Sequence, residues 1–436
     1  MLSERRVLIA EIEKQLGNRN LFWFGTRGDD AISLGEIQNF SGSFTYLNEY
    51  QRAGFVASAS YENIAKRRVD LDRWDIDDFL FEENVAKFRS ILLNAMGNRN
   101  AIVPYRPTNF LSALLFARMD TSLSLGLFAP HQRVFEHKPW VETAVTSLNI
   151  PTLNPKYIAD ENQLDNSDLL KDGPIVLRPS RGSGGTGITK VDTVEKLLNA
   201  WPKTDEFFAT VSKYYSACLS INVGAVVWDD DITIHYPSAQ LIGIPYLVAR
   251  PFGYCGNDFA LIKSLDESVI DQIEESTKKI GNWLRAQGYL GAYGVDYMLD
   301  KDTLRFTEIN PRFQGSTRVS SYISAVNDLP CILLDHIAAF LHLRPNKKTK
   351  LSDLVKEMPD IAHVVMHNIS GRRKKYNVSD ILGKIEKVED NFRSDVRAIS
   401  DIPVDNEAII SSLTFYRQVS DDGFSLQDDL CKGFDR

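Results

Sequence analysis

The chain is predicted to be α/β, turning α+β in its middle third and β-rich towards its C-terminus. Three observations carry this. The first 135 residues alternate strand-like runs, glycine-bearing loops and helical spacing, the pattern of a mostly parallel sheet. The stretch 176-VLRPSRGSGGTGITKV-191 reads strand–loop–strand, with four glycines among residues 182–187. In 291-GAYGVDYMLDKDTLRFTEINPRFQGSTR-318, two β-like runs flank the polar turn Asp300-Lys-Asp302, which predicts a hairpin.

Length and composition bound what the chain can be. At 436 residues, 43% hydrophobic and 25% charged, it can bury a large core divided over two or three domains. A formal net charge of -8 argues against a general nucleic-acid binder, which needs clustered Lys and Arg for phosphate contacts. Cys218, Cys255, Cys331 and Cys431 are far apart without a C-x-x-C pair, and read as reduced thiols. No apolar run approaches the roughly 18 residues needed to span a bilayer. Together these features predict a soluble, cytoplasmic protein with no membrane partner.

Taken in order, MLSERRVLIAEIEKQLG has the spacing of an amphipathic helix, and Glu11 and Glu13 interrupt it too early for a signal peptide. Leu21-Phe-Trp-Phe24 is a short strand ending in the loop Gly25-Thr-Arg27-Gly28. Arg27 there is placed to bind an anionic group, with a plain surface turn as the competing reading. Ala101-Ile-Val-Pro-Tyr105 is a second strand, and 108-TNFLSALLFAR-118 a helix capped by Thr108. Next come a strand at 218-CLSINVGAVV-227, a loop at 250-RPFGYCGNDFA-260, a helix over 267–288 and an apolar helix over 331–342. The polar, basic run 346-NKKTK-350 marks a break, and 361-IAHVVMHNIS-370 and 409-IISSLTFYRQ-418 alternate as strands. The expected domains are 1–135, 136–343 and 344–436.

Two constellations carry chemistry. The glycine loop spells G-x-G-x-x-G, but a β-like run follows it, so the helix-opening dinucleotide fold is disfavoured. No Lys-Ser/Thr follows for a Walker loop, and kinase H-R-D and D-F-G motifs are absent. What remains is a flexible hairpin whose backbone N–H groups cover phosphates, with Arg178 on the preceding strand. In the second hairpin, Asp296 and Glu308 can stand side by side across the strands. Glu308 and Asn310, two apart, share a face, with Arg312 two further on. Three such oxygen ligands suit a hard cation, Mg²⁺ taking one or two carboxylates plus substrate phosphates. Apolar runs flank this hairpin and imply that Glu308 is buried.

With these elements in this order, the sequence resembles the ATP-grasp ligases. Glu308-Ile-Asn310-Pro-Arg312 is close to that family's metal signature, and Asp296, twelve residues before Glu308, matches its other metal acid. The loop Arg178–Ile188 corresponds to the family's cover over the nucleotide phosphates, with Ser183, Gly184, Gly185, Thr186 and Gly187 facing them. Arg178 stands where relatives usually carry lysine, which keeps the charge but makes it a planar fork. Lys138 matches the earlier nucleotide lysine. The strand 207-FFATVSKYYS-216 matches the adenine hinge, with backbone at Lys213 and Tyr215 facing the purine.

The resemblance implies an ATP-grasp fold with an N-terminal Rossmann-like domain, glycine loop 178–188 and metal hairpin 291–312. It also implies ATP and Mg²⁺, with Mn²⁺ as a substitute. The implied chemistry activates a carboxylic acid as an acyl phosphate and passes it to an amine, with Arg312 and Arg178 as catalytic cations. A carrier-protein thiol as acceptor, a non-catalytic nucleotide-binding module, and assembly as a homodimer stay open. Biotin carboxylases carry a glutamate shortly after the motif arginine, whereas Phe313-Gln-Gly-Ser-Thr-Arg318 holds no acid. That disfavours carboxylation and makes Gln314, Ser316 and Arg318 candidate substrate contacts, Arg318 to a carboxylate or as a structural ion pair. Gln240, on an expected central strand, and Asn257, in the 250–260 loop, are further candidates for the acceptor pocket. The run Arg372-Arg-Lys-Lys375 is a solvated turn or a docking patch.

Overall fold

The computed structural model describes residues 3–434 apart from 98, 117–121, 160–168, 180–181, 201–207, 217 and 346–348. Helix Glu4–Leu16 opens the chain. Its N-cap Ser3 accepts the Arg6 N–H, and its apolar face buries Leu8, Ile12 and Leu16. The first sheet follows: β1 (Asn20–Arg27), β2 (Phe40–Leu47), β3 (Ala59–Ser60), β4 (Asn100–Pro104) and β5 (Ser122–Ser124). All its pairings are parallel, in the order β3-β2-β1-β4-β5. Period-two alternation sends Leu21 and Trp23 into one core and Phe22 and Phe24 into another, so both faces are covered. The order reverses between β1 and β4, and there the strand ends open onto the cleft described below. β1 runs through Arg27, so that residue ends a strand and does not sit in the expected loop. Helix Asn109–Phe116 begins where expected, the Leu111 N–H donating to Thr108 Oγ1 at 3.1 Å.

A four-stranded antiparallel sheet comes next, formed by β6 (Lys156–Ile158), β7 (Ile175–Pro179), β8 (Thr189–Val191) and β9 (Ala209–Lys213), ordered β6-β9-β7-β8. β7 and β8 confirm strand–loop–strand around the glycines. Ser180 and Arg181 of that loop, Phe207 of the adenine segment and residues 346–348 of the polar break lie outside the described residues.

The third sheet has nine strands among the described residues: β10 (Leu219–Val227), β11 (Ile232–Ile234), β12 (Ser238–Ile242), β13 (Tyr254–Asp258), β14 (Gly291–Asp300), β15 (Thr303–Asn310), β16 (Ala362–His367), β17 (Phe392–Arg397) and β18 (Ile409–Phe415). The main order is β15-β14-β10-β12-β13-β16-β18-β17, with β11 beside β10. Helix Glu267–Ala286 covers one face, where Tyr293, Val295 and Tyr297 of β14 are buried. Asp296 and Met298 line the cleft. β13 pairs antiparallel with β16, so sheet hydrogen bonding continues unbroken past the boundary expected at 344. Two local expectations are corrected. Residues 254–258 form β13, because Gly256, Asn257 and Asp258 pair on both sides and are not free to loop out. β15 ends at Asn310, so Arg312 sits in the following turn and does not share the strand face.

Candidate active site

The three sheets enclose a cleft of about 750 Å³. The four-stranded sheet roofs one end, the hairpin β14–β15 forms its floor, and the strand ends of the parallel sheet close the other end. The hairpin register places Asp296 directly opposite Glu308, with a bulge just after Asp296. Their environments differ. Asp296 is buried, 8% exposed, while the Glu308 side chain is 36% exposed and faces the open cleft, so the burial expected for Glu308 falls on its partner.

Asp296 is surrounded by amides. Asn222 Nδ2 donates to its Oδ1 at 2.6 Å, Gln314 Nε2 to Oδ1 at 3.2 Å and Asn310 Nδ2 to Oδ2 at 3.0 Å. Ser316 Oγ donates in turn to Asn222 Oδ1 at 2.7 Å. Burial, and next the Glu308 charge, push the Asp296 carboxyl up to about 7 despite these donors. Asn222 was not anticipated. It stands directly across β10 from Asp296, a pairing the sequence carries only as a polar residue inside the apolar run 218–227. Gln314 lies so close over Gly294 that a Cβ there would meet its Cδ at 1.8 Å, so glycine is what admits it.

Two carboxylates repelling one another beside the Asn310 amide form a hard-oxygen set that a dication would relieve, so these residues fit Mg²⁺. Among the described residues no group of three or more His, Cys, Asp or Glu converges for a metal, and this site offers two carboxylates and an amide.

Cations approach from helix Lys138–Ser147. Lys138 Nζ lies 3.8 Å from Glu308 Oε2, although Lys138 is not among the cleft-lining residues. One turn on, Glu142 meets Arg178 Nη2 at 3.3 Å and also receives the Tyr157 hydroxyl. Burial raises the Glu142 carboxyl, and Arg178 opposes that. Arg178 is buried beneath the glycine loop and its Nε has no hydrogen-bond partner.

In the loop, Gly184, Gly185 and Gly187 have φ of 54°, 77° and 75°. Ser183, Gly184 and Gly185 line the cleft, whereas Thr186 and Gly187 do not. Thr186 Oγ1 instead accepts from Arg250, whose other nitrogen pairs with Asp72 at 2.5 Å. A Cβ on Gly185 would sit 1.9 Å from the Phe252 carbonyl. The loop is thus docked onto both neighbouring domains.

Beyond it, Lys213 and Tyr215 line the cleft with the apolar Leu153, Val176, Ile188 and Met298. Lys190 lies 4.0 Å over the Tyr214 ring and Arg305 5.4 Å from the Tyr215 ring.

The remaining candidates separate. Arg312, Gln314, Ser316, Gln240, Asn257 and Arg27 all line the cleft. Arg27 is already paired with Asp30 at 2.8 Å, and Asn257 Nδ2 donates to Ser238 at 3.0 Å. Arg318 is not among the lining residues. It bridges Asp29 at 3.4 Å and Asp395 at 2.5 Å, tying the N-terminal sheet domain to β17, which is the structural ion pair held open beside the substrate contact. Arg372–Lys375 are exposed away from the cleft lining, with Arg373 paired to Asp405.

Residues 143–316 match the ATP-grasp domain family, a span that includes the glycine loop, Asp296, Glu308, Asn310 and Arg312. Over 207 residues the chain is 26% identical to the formate-dependent phosphoribosylglycinamide formyltransferase of Prochlorococcus marinus, covering 46% of this chain and 50% of that one. The match therefore spans about half the length of this curated relative. Among solved structures, the biotin carboxylase domain of the Hydrogenobacter thermophilus 2-oxoglutarate carboxylase, a dimer in complex with MgADP, ADP and bicarbonate, superposes with TM-score 0.61. That match has 14% identity and covers 92% of this chain and 86% of the other. The N5-carboxyaminoimidazole synthetase of Staphylococcus aureus, complexed with ADP, gives 0.58 at 11% identity over 95% and 97% of the two chains. At these identities the likeness is one of fold, and it extends over nearly the whole chain. Motif, register and fold agree that this chain carries an ATP-grasp domain.

Proposed function

We propose that the protein is an ATP- and Mg²⁺-dependent ligase that joins a carboxylic acid to an amine. The observation that carries this is one cleft holding the Asp296–Glu308–Asn310 oxygen set opposite a docked glycine loop. Leu153, Val176, Ile188 and Met298 offer an apolar slot for a purine beside Lys213 and Tyr215. Asp296, Glu308 and Asn310 would hold Mg²⁺, which supplies charge neutralisation at phosphate oxygens; Mn²⁺ suits the same donors. Arg178 and the loop N–H groups position the phosphates. The terminal phosphoryl group passes to a carboxylate oxygen, giving an acyl phosphate and ADP. The amine nitrogen then attacks the acyl carbon, loses a proton and expels inorganic phosphate, while Arg312 stabilises the oxyanion. The docked loop excludes water, which otherwise hydrolyses the acyl phosphate. Gln314 and Ser316, which follow Arg312, are neutral, and the one carboxylate their hydrogen bonds lead to is Asp296, which this reading assigns to the cation. We place the enzyme in the cytoplasm, in keeping with its four free cysteines, and expect small-molecule substrates and a homodimer. No helix among the described residues is long and apolar enough to cross a membrane.

The test is ADP release over a panel of acids and amines, with Glu308→Gln as the control. Turnover that needs Mg²⁺ and is lost in the variant, with its melting temperature kept, supports the reading. Tight ATP binding without turnover on any acceptor would replace it by a nucleotide-binding module.

A further inference from the structure

The end of the cleft away from the nucleotide has its own chemistry. Along the nine-stranded sheet the cleft-facing row leaves the metal hairpin through Asn222 and Gln240. It then turns aliphatic at Ile242 of β12, Val365 of β16 and Ile409 of β18. Opposite it, the parallel sheet domain contributes Tyr46, Leu71, Trp74 and Tyr105. Leu71 and Tyr254 pack in one cluster with Val365 and Ile409, so this wall is built jointly by the first and last parts of the chain. At the rim stands Phe424, 41% exposed yet lining the cleft. Its turn is pinned: Asp422 Oδ1 accepts the N–H of Phe424 at 2.7 Å and of Ser425 at 2.8 Å, and the Ile242 N–H donates to the Gly423 carbonyl at 2.9 Å. A phenylalanine held at a cleft mouth by a rigid turn offers apolar contact at little entropic cost.

The charges at this end point the same way. Arg27 and Arg106 are the arginines lining it. Arg27 is held by Asp30 at 2.8 Å and Arg106 by Asp75 at 2.7 Å. Arg250, just behind, is held by Asp72 at 2.5 Å. Arg178 belongs to the nucleotide end, and Arg312 stands between the two ends near Tyr105, donating to the Phe313 carbonyl at 2.9 Å. With Asp72 taken by Arg250, the acids lining the same region are Asp70, whose nearest arginine is Arg73 at 3.9 Å, and Asp422. A phosphate group here would have to compete with the carboxylates that already hold Arg27 and Arg106, and burying it without donors is costly. An ammonium meets complementary charge.

Resting on the ligase reading, we propose that this end takes an unphosphorylated amine with an aromatic or branched aliphatic body, seated on the Ile242–Val365–Ile409 wall under Phe424. The last ninety or so residues thereby set acceptor specificity. The probes are 2-phenylethylamine and O-phosphoethanolamine, which share an ethylamine and differ in phenyl against phosphate. Their binding to the full chain loaded with ADP and Mg²⁺ is measured by saturation-transfer NMR. The expected result is at least tenfold tighter binding of 2-phenylethylamine. Phe424→Ala should lose at least fivefold of that while ADP affinity stays unchanged. Asp75→Asn, which frees Arg106 and keeps the turn cap, should strengthen O-phosphoethanolamine several-fold. Equal or tighter binding of O-phosphoethanolamine to the unmodified protein, binding of neither amine, no effect of Phe424→Ala, or no gain in Asp75→Asn overturns the proposal. Failure to bind ADP at all would instead overturn the ligase reading, which these amine comparisons leave untouched.

Discussion

Replacing Asn222 by leucine removes the amide that donates to Asp296 at 2.6 Å and accepts from Ser316 at 2.7 Å, with little change in volume. A hydrogen bond to a charged group contributes about 1.5–3 kcal/mol, and about 1.4 kcal/mol corresponds to tenfold. On the proposed reading the ionised Asp296 ligates the cation and loses that support, so the Mg²⁺ needed for half-maximal ADP release should rise about tenfold to a hundredfold. The sign of the pH effect follows from the carboxyl itself. Burial and Glu308 already raise Asp296 to about 7, and losing a donor raises it further. Protons then compete with Mg²⁺ over a wider range, so the deficit should be larger at pH 7 than at pH 9. The assay is a Mg²⁺ titration of ADP release at both pH values, with a thermal melt to confirm folding. A midpoint within twofold of the unmodified protein at both pH values would show that Asn222 does not support the metal carboxylate.

Three further outcomes follow from the same geometry. Gly185→Ala must place a Cβ 1.9 Å from the Phe252 carbonyl at φ 77°, where the left-handed backbone alone costs about 1–2 kcal/mol. The loop should lift and the KM for ATP rise about tenfold, and an unchanged KM would mean that docking is not required. Arg318→Met removes the 2.5 Å partner of the fully buried Asp395 side chain, which keeps Arg393 at 3.0 Å and the Thr414 hydroxyl at 2.6 Å, and should cost about 1.5–3 kcal/mol in a melt. Its Mg²⁺ midpoint should stay put, and a shift would return Arg318 to the site. In the nucleotide-free protein Asp296 keeps its proton to about pH 7, whereas the unfolded chain releases it near 4. Stability from this group therefore falls as pH rises from about 4 to 7. Urea unfolding should show Asp296→Asn gaining on the unmodified protein between pH 5 and pH 8; an equal difference at both pH values contradicts the raised carboxyl.

Much of the site was legible because its signals are local. Asp296 and Glu308 sit on two runs joined by a short polar turn, so their pairing follows from hairpin geometry, and the register confirms it. Strand–loop–strand around the glycines was readable from the β-prone residues on either side. Where reading failed, long-range partners decided. Arg318 looks like a motif-proximal contact, but Asp29 and Asp395, remote in sequence, capture it. Asn257 and its neighbours read as a loop for their glycine and asparagine, until β12 and β16 satisfied the backbone on both sides. Burial of Glu308 was inferred from flanking apolar residues, which describe the other face of the strand.

By itself the sequence determined the order of elements, the glycine hairpin and the paired acids of an ATP-grasp domain, because each rests on period, turn chemistry and short spacing. Only the tertiary structure decided which acid is buried, that Asn222 and Gln314 hold it, and that Arg250 and Asp72 clamp the glycine loop. Only it showed that β16 and β18 bring Val365 and Ile409 into the cleft lining. Those features depend on strands far apart in the chain meeting in one sheet, and no local pattern encodes which distant strand arrives beside which.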